Sequence, residues 1–451
     1  MALPPLTEAL QPPLELLDDA LHEEARLRRA APEGRRPVQV LYGGAHLFKA
    51  GAVARMGALA RAAMETHAPD GATFAHALGL SLTPTQATDL RARVLAKLSR
   101  EPVEDLRIDF EDGYGIRPDA EEDGHADAVG VTLREAQQSK ALPPFIGIRL
   151  KPMVGRSALR ALRTLERISA GLGPEPVPGL ALTLPKVSVP AQVELLRRAA
   201  EALERRLGWP AGALALELMV ETPAALIGRD GRIAIPGLVD AAGGRCRSVH
   251  VGPYDLTAAL GISAAHQWLG HPSVELARRL LQLALAGTGV TVSDGPTTLL
   301  PVGPHKQPRS DAERAANREA VFRAWSRTAD DVRRAYGDGI VQGWDLHPAQ
   351  LPARYGALFA ILREELPSAT ARLRQFLDRA AQATRLGAEF EDAATARGLL
   401  NGLVRAVECA AASAAEVEST LGHSLAAATA VLQLSPDRPG TSPLDERARP
   451  R

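Results

Sequence analysis

Three carboxylates crowd the stretch Leu106 to Gly115, where LRIDFEDGYG runs from an apolar strand into Asp109, Glu111, Asp112 and two glycines. Burying an unpaired ion costs several kcal/mol, so such charges persist inside a fold only when they pair or when a metal or ligand completes them. Alternate residues of a strand share a face, so parity shows which of them point inward. In LRIDFED, Ile108 and Phe110 face outward and Asp109 and Glu111 inward; in FIGIRL, Arg149 lies opposite Ile148 and Leu150. In LALELMVET the apolar set Leu214, Leu216, Leu218 and Val220 leaves Glu217 and Glu221 on the other face. LALTLPKV carries Lys186 in line with Leu180, Leu182 and Leu184, a less decisive parity.

Acids, a guanidinium, an ammonium and further acids on successive strands form a charge-compensated series. A structural ion-pair network near a barrel mouth accounts for it, and so does a functional site. Position favours the site, because the charges fall at the carboxyl ends of the strands, where barrel enzymes build their chemistry. In HVGPYDLTAALG, Asp255 follows the Gly252–Pro253 turn and opens a helix, where the ordinary role of an Asp is an N-cap. Glu221 and Asp255 nevertheless end neighbouring strands. Two such carboxylates suit Mg²⁺ (or Mn²⁺), which takes hard oxygen ligands at about 2.0–2.1 Å and keeps waters for a chelating substrate. Gly252 and Pro253 are then candidate substrate contacts.

These residues need a scaffold that brings strand ends together. Eight short apolar runs, most of them separated by helical patterns, occur at 38–42, 106–110, 145–150, 180–184, 213–220, 248–251, 290–292 and 340–343. The repetition predicts an α/β fold, a (β/α)8 TIM barrel over 37–366 with a long insertion after the first strand, 51–105, that includes a helix over 83–98. Before it lies a leader, 1–36, with an amphipathic helix around 14–30. A last barrel helix is expected over 348–365, then an Ala- and Leu-rich helical appendage over 367–432 and a disordered tail, 433–451, with almost nothing to bury.

The rest of the composition narrows the class. Across 451 residues Lys+Arg and Asp+Glu balance at 53 each, so no global field attracts nucleic acid or an anionic membrane. No run of 18 apolar residues occurs, and the first residues lack the basic-then-apolar pattern of a signal peptide, which points to the cytoplasm. Cys246 and Cys409 stand far apart with no C-x-x-C pair. No P-loop or G-x-G-x-x-G fingerprint follows any expected strand.

The ordered series resembles the citrate lyase beta subunit and HpcH/HpaI aldolase family of the phosphoenolpyruvate/pyruvate barrel superfamily. It comprises DFEDG at Asp109 to Gly113, Arg149 in IRL, Lys186 in LPKV, Glu221 in VETPAAL, Asp255 in VGPYDLTAALG and His347, Pro348 and Gln350 in DLHPAQ. The resemblance spans residues 106–350. It implies a Mg²⁺-dependent carbon–carbon lyase acting on a small 2-oxo or hydroxy acid through a pyruvate-like enolate, in a homo-oligomer. Glu221 and Asp255 match the metal ligands, Arg149 the carbonyl- or carboxylate-binding arginine, and Asp109 and Glu111 the contacts to metal-bound water, with Lys186 among the catalytic set. Two features depart from the pattern. YGGAHLFKAG replaces the Pro-Gly and Arg loop that helps hold CoA, which argues against that cofactor, and Gly113 and Tyr114 stand where the HpcH type has a histidine. His46, at the mouth of the first strand, is the candidate base, although a lone loop histidine is more often polar surface. The alternatives are a CoA-thioester lyase or hydrolase, a phosphoenolpyruvate-utilising enzyme, and a barrel scaffold that binds a partner.

Overall fold

In the computed structural model, eight parallel strands close into one barrel in sequential order. The structure describes residues 11, 16–22, 34–386 and 393–433. The strands are β1 (Gln39–Gly44), β2 (Asp105–Asp109), β3 (Phe145–Arg149), β4 (Ala181–Leu184), β5 (Ala215–Val220), β6 (Cys246–Val251), β7 (Thr291–Pro296) and β8 (Gly343–Asp345). β8 closes on β1 through the pairs Gln39 with Gly343 and Leu41 with Asp345. The barrel is the fold that the recurring apolar runs predict.

Outward-facing strand residues supply the main core. Leu106, Ile108, Ile146, Ile148, Leu182, Leu184, Leu216, Leu218, Val249 and Val251 are essentially inaccessible and pack under the helices. The barrel interior is different in kind. A small apolar cluster of Val40, Tyr42, Met219 and Trp344 sits inside it, alongside a polar network centred on Glu217. Arg107 Nη2 lies 2.6 Å from Glu217 and Ser248 Oγ donates to it at 2.6 Å. Thr183 Oγ1 donates at 2.8 Å, and His250 Nε2 lies 2.9 Å away. Arg107 also pairs with Asp105. Burial raises the Glu217 carboxyl, but Arg107 and His250 outweigh that and hold it well below the usual carboxylate range.

Two strands lie later in the chain than their apolar runs suggest. β7 continues from Thr291 through Ser293, Asp294 and Gly295, and β8 begins at Gly343, where the expected run ends. The cause is buried charge: Asp294 pairs with Arg278 at 2.8 Å and Asp345 with Arg354 at 2.6 Å, so carboxylates occupy strand positions that usually carry apolar side chains.

The insertion after β1 forms three helices, Ala52–His67, Gly71–Ala77 and Pro84–Arg100. The last starts at a capping box in which Thr83 and Gln86 satisfy each other's orphan backbone groups. At the other end, the helix expected over 348–365 begins as a short 3-10 turn, Pro348–Gln350, and then runs unbroken from Leu351 to Leu386 across residue 366. Helices Ala393–Glu408, Ala414–Leu421 and Leu425–Gln433 follow. Of the leader, residues 16–22 are helical; the rest of the helix expected around 14–30, 14–15 and 23–30, and the tail from 434 onward lie outside the described residues. Among the described residues no helix is long and apolar enough to cross a membrane.

Candidate active site

At the carboxyl end of the barrel a cavity of about 710 Å³ opens, lined by Asp109, Asp112, Arg149, Glu221, Gly252, Pro253 and Asp255. Its other wall is apolar, with Leu47, Phe48, Met56, Leu59 and Leu346. Tyr42 and Trp344 form part of the floor, and the Arg149 guanidinium lies 5.0 Å and 5.4 Å from their ring centroids.

Arg149 ends β3 beside Asp109 at the end of β2. Its Nε donates to Asp109 Oδ1 at 2.7 Å and Nη2 pairs with Oδ2. Asp109 also accepts the backbone N–H groups of Glu111 and Gly113, each at 2.8 Å. That saturates the carboxylate. Asp109 therefore shapes the loop and fixes the arginine. Gly113 is required by this arrangement, since a Cβ there would fall 2.5 Å from Asp109 Oδ2.

Glu111 turns inward and meets two cations. Lys186 Nζ lies 2.5 Å from its Oε1, and Arg149 Nη1 lies 3.0 Å from its Oε2 without hydrogen-bond geometry. Burial raises the Glu111 carboxyl above its ordinary range, more than Arg149 and Lys186 lower it. Asp112, which the alternation of β2 turns away from the interior, instead stands on the rim: 62% of its side chain is exposed, and Oδ2 lies 3.6 Å from Lys186 Nζ.

Glu221 follows β5 directly and is almost wholly buried. Its Oε1 accepts the Lys186 backbone N–H at 2.6 Å. Burial first, then the neighbouring Glu111 and Asp255, push its carboxyl up to about 8 against the opposing pull of Lys186. Gly252 gives Glu221 its room, because a Cβ on residue 252 would fall 2.4 Å from the Glu221 Cβ. Asp255 sits in the first turn of the helix Pro253–Ala259, whose N-cap is Gly252, so Asp255 is not the cap. Its contact is with Lys186 Nζ, at 3.4 Å from Oδ2.

Among the described residues no three His, Cys, Asp or Glu side chains are gathered as a ready-made metal cage. The set nonetheless fits a hard cation of the Mg²⁺ type, which needs one or two carboxylates and keeps waters or substrate oxygens in its remaining positions. Burial, with Glu111 and Asp255 adding to it, raises the Glu221 carboxyl to about 8, so a cation bound beside it would stabilise the charged form that the metal-free site disfavours.

His46 is not brought into this set. It lies in a 3-10 turn after β1, with its ring 5.7 Å from Tyr114 and 6.3 Å from His125, and it does not line the cavity. The histidine that does is His347. Its Nδ1 accepts the Ala349 N–H at 3.1 Å, and burial lowers its pKa. The neutral ring therefore carries its proton on Nε2. His347 belongs to the DLHPAQ part of the motif series, whereas Tyr42 and Trp344 have no counterpart among the expected site residues. Tyr42 shares the inward face of Val40, but the rule that turns apolar strand residues outward misplaces both, and Trp344 was hidden by the shifted position of β8.

A family model described as "Domain of unknown function (DUF6986)" matches residues 21–434. The chain belongs to that family. No curated protein matches it in sequence. Solved structures similar to this chain include the malate synthase of Haloferax volcanii in a magnesium and glyoxylate complex, at 15% identity and a TM-score of 0.44, covering 70% of this chain and 74% of that one. A citrate lyase beta subunit from M. tuberculosis, complexed with oxaloacetate and magnesium, has 18% identity and a TM-score of 0.39, with 73% and 98% covered. RipC from Yersinia pestis has 17% identity and a TM-score of 0.38, with 57% and 90% covered. At these identities and scores the likenesses do not bear on activity.

Proposed function

We propose that this family member is a divalent-cation-dependent carbon–carbon lyase that cleaves a small 2-oxo or hydroxy acid through an enolate. One observation carries the reading: Glu221 and Asp255 follow adjacent strands and line, together with Arg149, one cavity at the carboxyl end of the barrel. The motif series that resembles the citrate lyase beta and HpcH/HpaI group supports it from the sequence side.

Glu221 and Asp255 would hold Mg²⁺ or Mn²⁺, which supplies a Lewis acid for the oxygens of a chelating acid substrate. The chain's own residues do the rest. Arg149, fixed by Asp109 and flanked by Tyr42 and Trp344, is a preorganised cation for the substrate carboxylate or the enolate oxygen, where charge develops. Its rigidity means that little reorganisation accompanies the reaction. Gly252 and Pro253 form the wall beside Glu221 and leave space for the substrate. His347 Nε2–H is a hydrogen-bond donor facing the cavity, suited to a substrate carboxylate, and does not take up the proton that the substrate hydroxyl releases on cleavage.

A screen of 2-oxo and hydroxy acids with Mg²⁺ or Mn²⁺, reading released pyruvate or acetyl units, tests the proposal. Turnover that needs the cation and disappears in Glu221→Gln and Asp255→Asn is the expected result; turnover indifferent to both substitutions would refute it.

A second reading draws on the apolar wall. A 2-oxo acid of three or four carbons does not fill about 710 Å³, and Leu47, Phe48, Met56 and Leu59 offer it nothing to bind. A CoA thioester of a hydroxy acid would use both walls. Calorimetry with CoA decides between them: micromolar binding favours the thioester and no heat favours the free acid.

A further inference from the structure

Lys186 occupies an unusual place. Its backbone lies in the left-handed region at φ 51°, which a lysine enters at a cost and a glycine enters freely. The conformation has two consequences. It turns the Lys186 N–H onto Glu221, at 2.6 Å, and it sends the side chain to Glu111, Asp255 and Asp112, at 2.5, 3.4 and 3.6 Å from Nζ. Other nearby cations are largely committed. Arg149 is held by Asp109 and brings only Nη1 near Glu111, 3.0 Å from Oε2, and Lys151 donates to the Phe110 carbonyl at 2.9 Å and pairs with Glu122 at 3.2 Å.

The ammonium therefore touches Asp255, one of the two carboxylates assigned above to a divalent cation, while its own amide holds the other. A cation bonded to Asp255 at about 2.0–2.1 Å would repel an ammonium 3.4 Å from the same carboxylate. We propose that Lys186 is a tethered counter-cation, which holds the carboxylates together in the metal-free protein and is displaced toward the exposed Asp112 when a divalent ion binds. Lys186 would thus set the cation affinity of the site, and it is a positioning residue by this reading. The inference rests on the proposed cation site and goes beyond it.

The test uses the full chain stripped of metal and titrated with Mn²⁺, with free Mn²⁺ counted by electron paramagnetic resonance. Lys186→Met removes the competing charge, and Lys186→Gly does so while relieving the backbone. Both are expected to bind Mn²⁺ at least tenfold more tightly than the parent chain, and Mn²⁺ is expected to raise their melting temperature by more. Asp112→Asn removes the place to which the ammonium retreats. It is expected to weaken Mn²⁺ binding several-fold when Lys186 is present and to leave it unchanged in the Lys186→Met background. Equal or weaker Mn²⁺ binding by Lys186→Met and Lys186→Gly, with the parent chain still binding, would overturn the displacement alone. Failure of parent and variants alike to bind Mn²⁺ would sink the cation site and this inference with it.

Discussion

The barrel holds two sets of charges, one wholly buried and one at its mouth, and they are built to opposite ends. In the deeper set, Glu217 is surrounded by Arg107, Thr183, Ser248 and His250, and its charge is fully matched. At the mouth, Glu111, Glu221 and Asp255 share mainly Lys186 and one edge of Arg149, and Glu111 and Glu221 are pushed toward their protonated forms. Both sets are built on glutamates that face cations. What separates them is saturation: a carboxylate with every lone pair engaged stabilises structure, and one left short of partners can bind something else.

That contrast can be broken first in the deeper set. Arg107→Met leaves Glu217 and Asp105 buried without their guanidinium, so a loss of roughly 3–5 kcal/mol in denaturant unfolding is expected. A loss below about 1 kcal/mol would mean that the network is not structural. At the mouth, Glu221→Gln should cost at least ~100-fold in cation-dependent turnover, the scale of losing one preorganised electrostatic contact, while the melting temperature in EDTA is maintained or rises. Gly252→Ala acts through space, because its Cβ meets Glu221. Roughly tenfold weaker Mn²⁺ binding is expected from the displaced carboxylate, the scale seen when an outer-shell support is lost; unchanged binding would show that the close approach does not position Glu221.

The smallest expected effect is a pH dependence. Glu221 is raised from its ordinary value of 4.5 to about 8. Between these values the folded, metal-free chain keeps a proton that the unfolded chain has released. Its contribution to stability is complete below about pH 4.5 and is lost as the pH rises through 8. Melting curves in EDTA from pH 5 to 9 should therefore fall more steeply for the parent chain than for Glu221→Gln. Parallel curves would contradict the assignment.

Strand alternation was enough to read much of this from the sequence. Asp109, Glu111, Arg149, Glu217 and Glu221 turn into the barrel because β2, β3 and β5 keep strict in-and-out order, with apolar residues on the outer face. Alternation fails at Lys186, where φ 51° breaks the strand geometry on which parity depends. It fails again at β7 and β8, because Asp294 is neutralised by Arg278 from the helix before its strand and Asp345 by Arg354 from the helix after its own, and no local pattern announces such partners. The layering of Glu217 beneath Glu221 is likewise a matter of which arginine reaches which acid. Parity identifies the face and not the partner.

Equilibrium dialysis of the intact, metal-stripped chain against Mn²⁺ addresses the mouth most directly. One ion per chain in the parent, lost in both Glu221→Gln and Asp255→Asn, is the expected result; undiminished binding in both variants would contradict it.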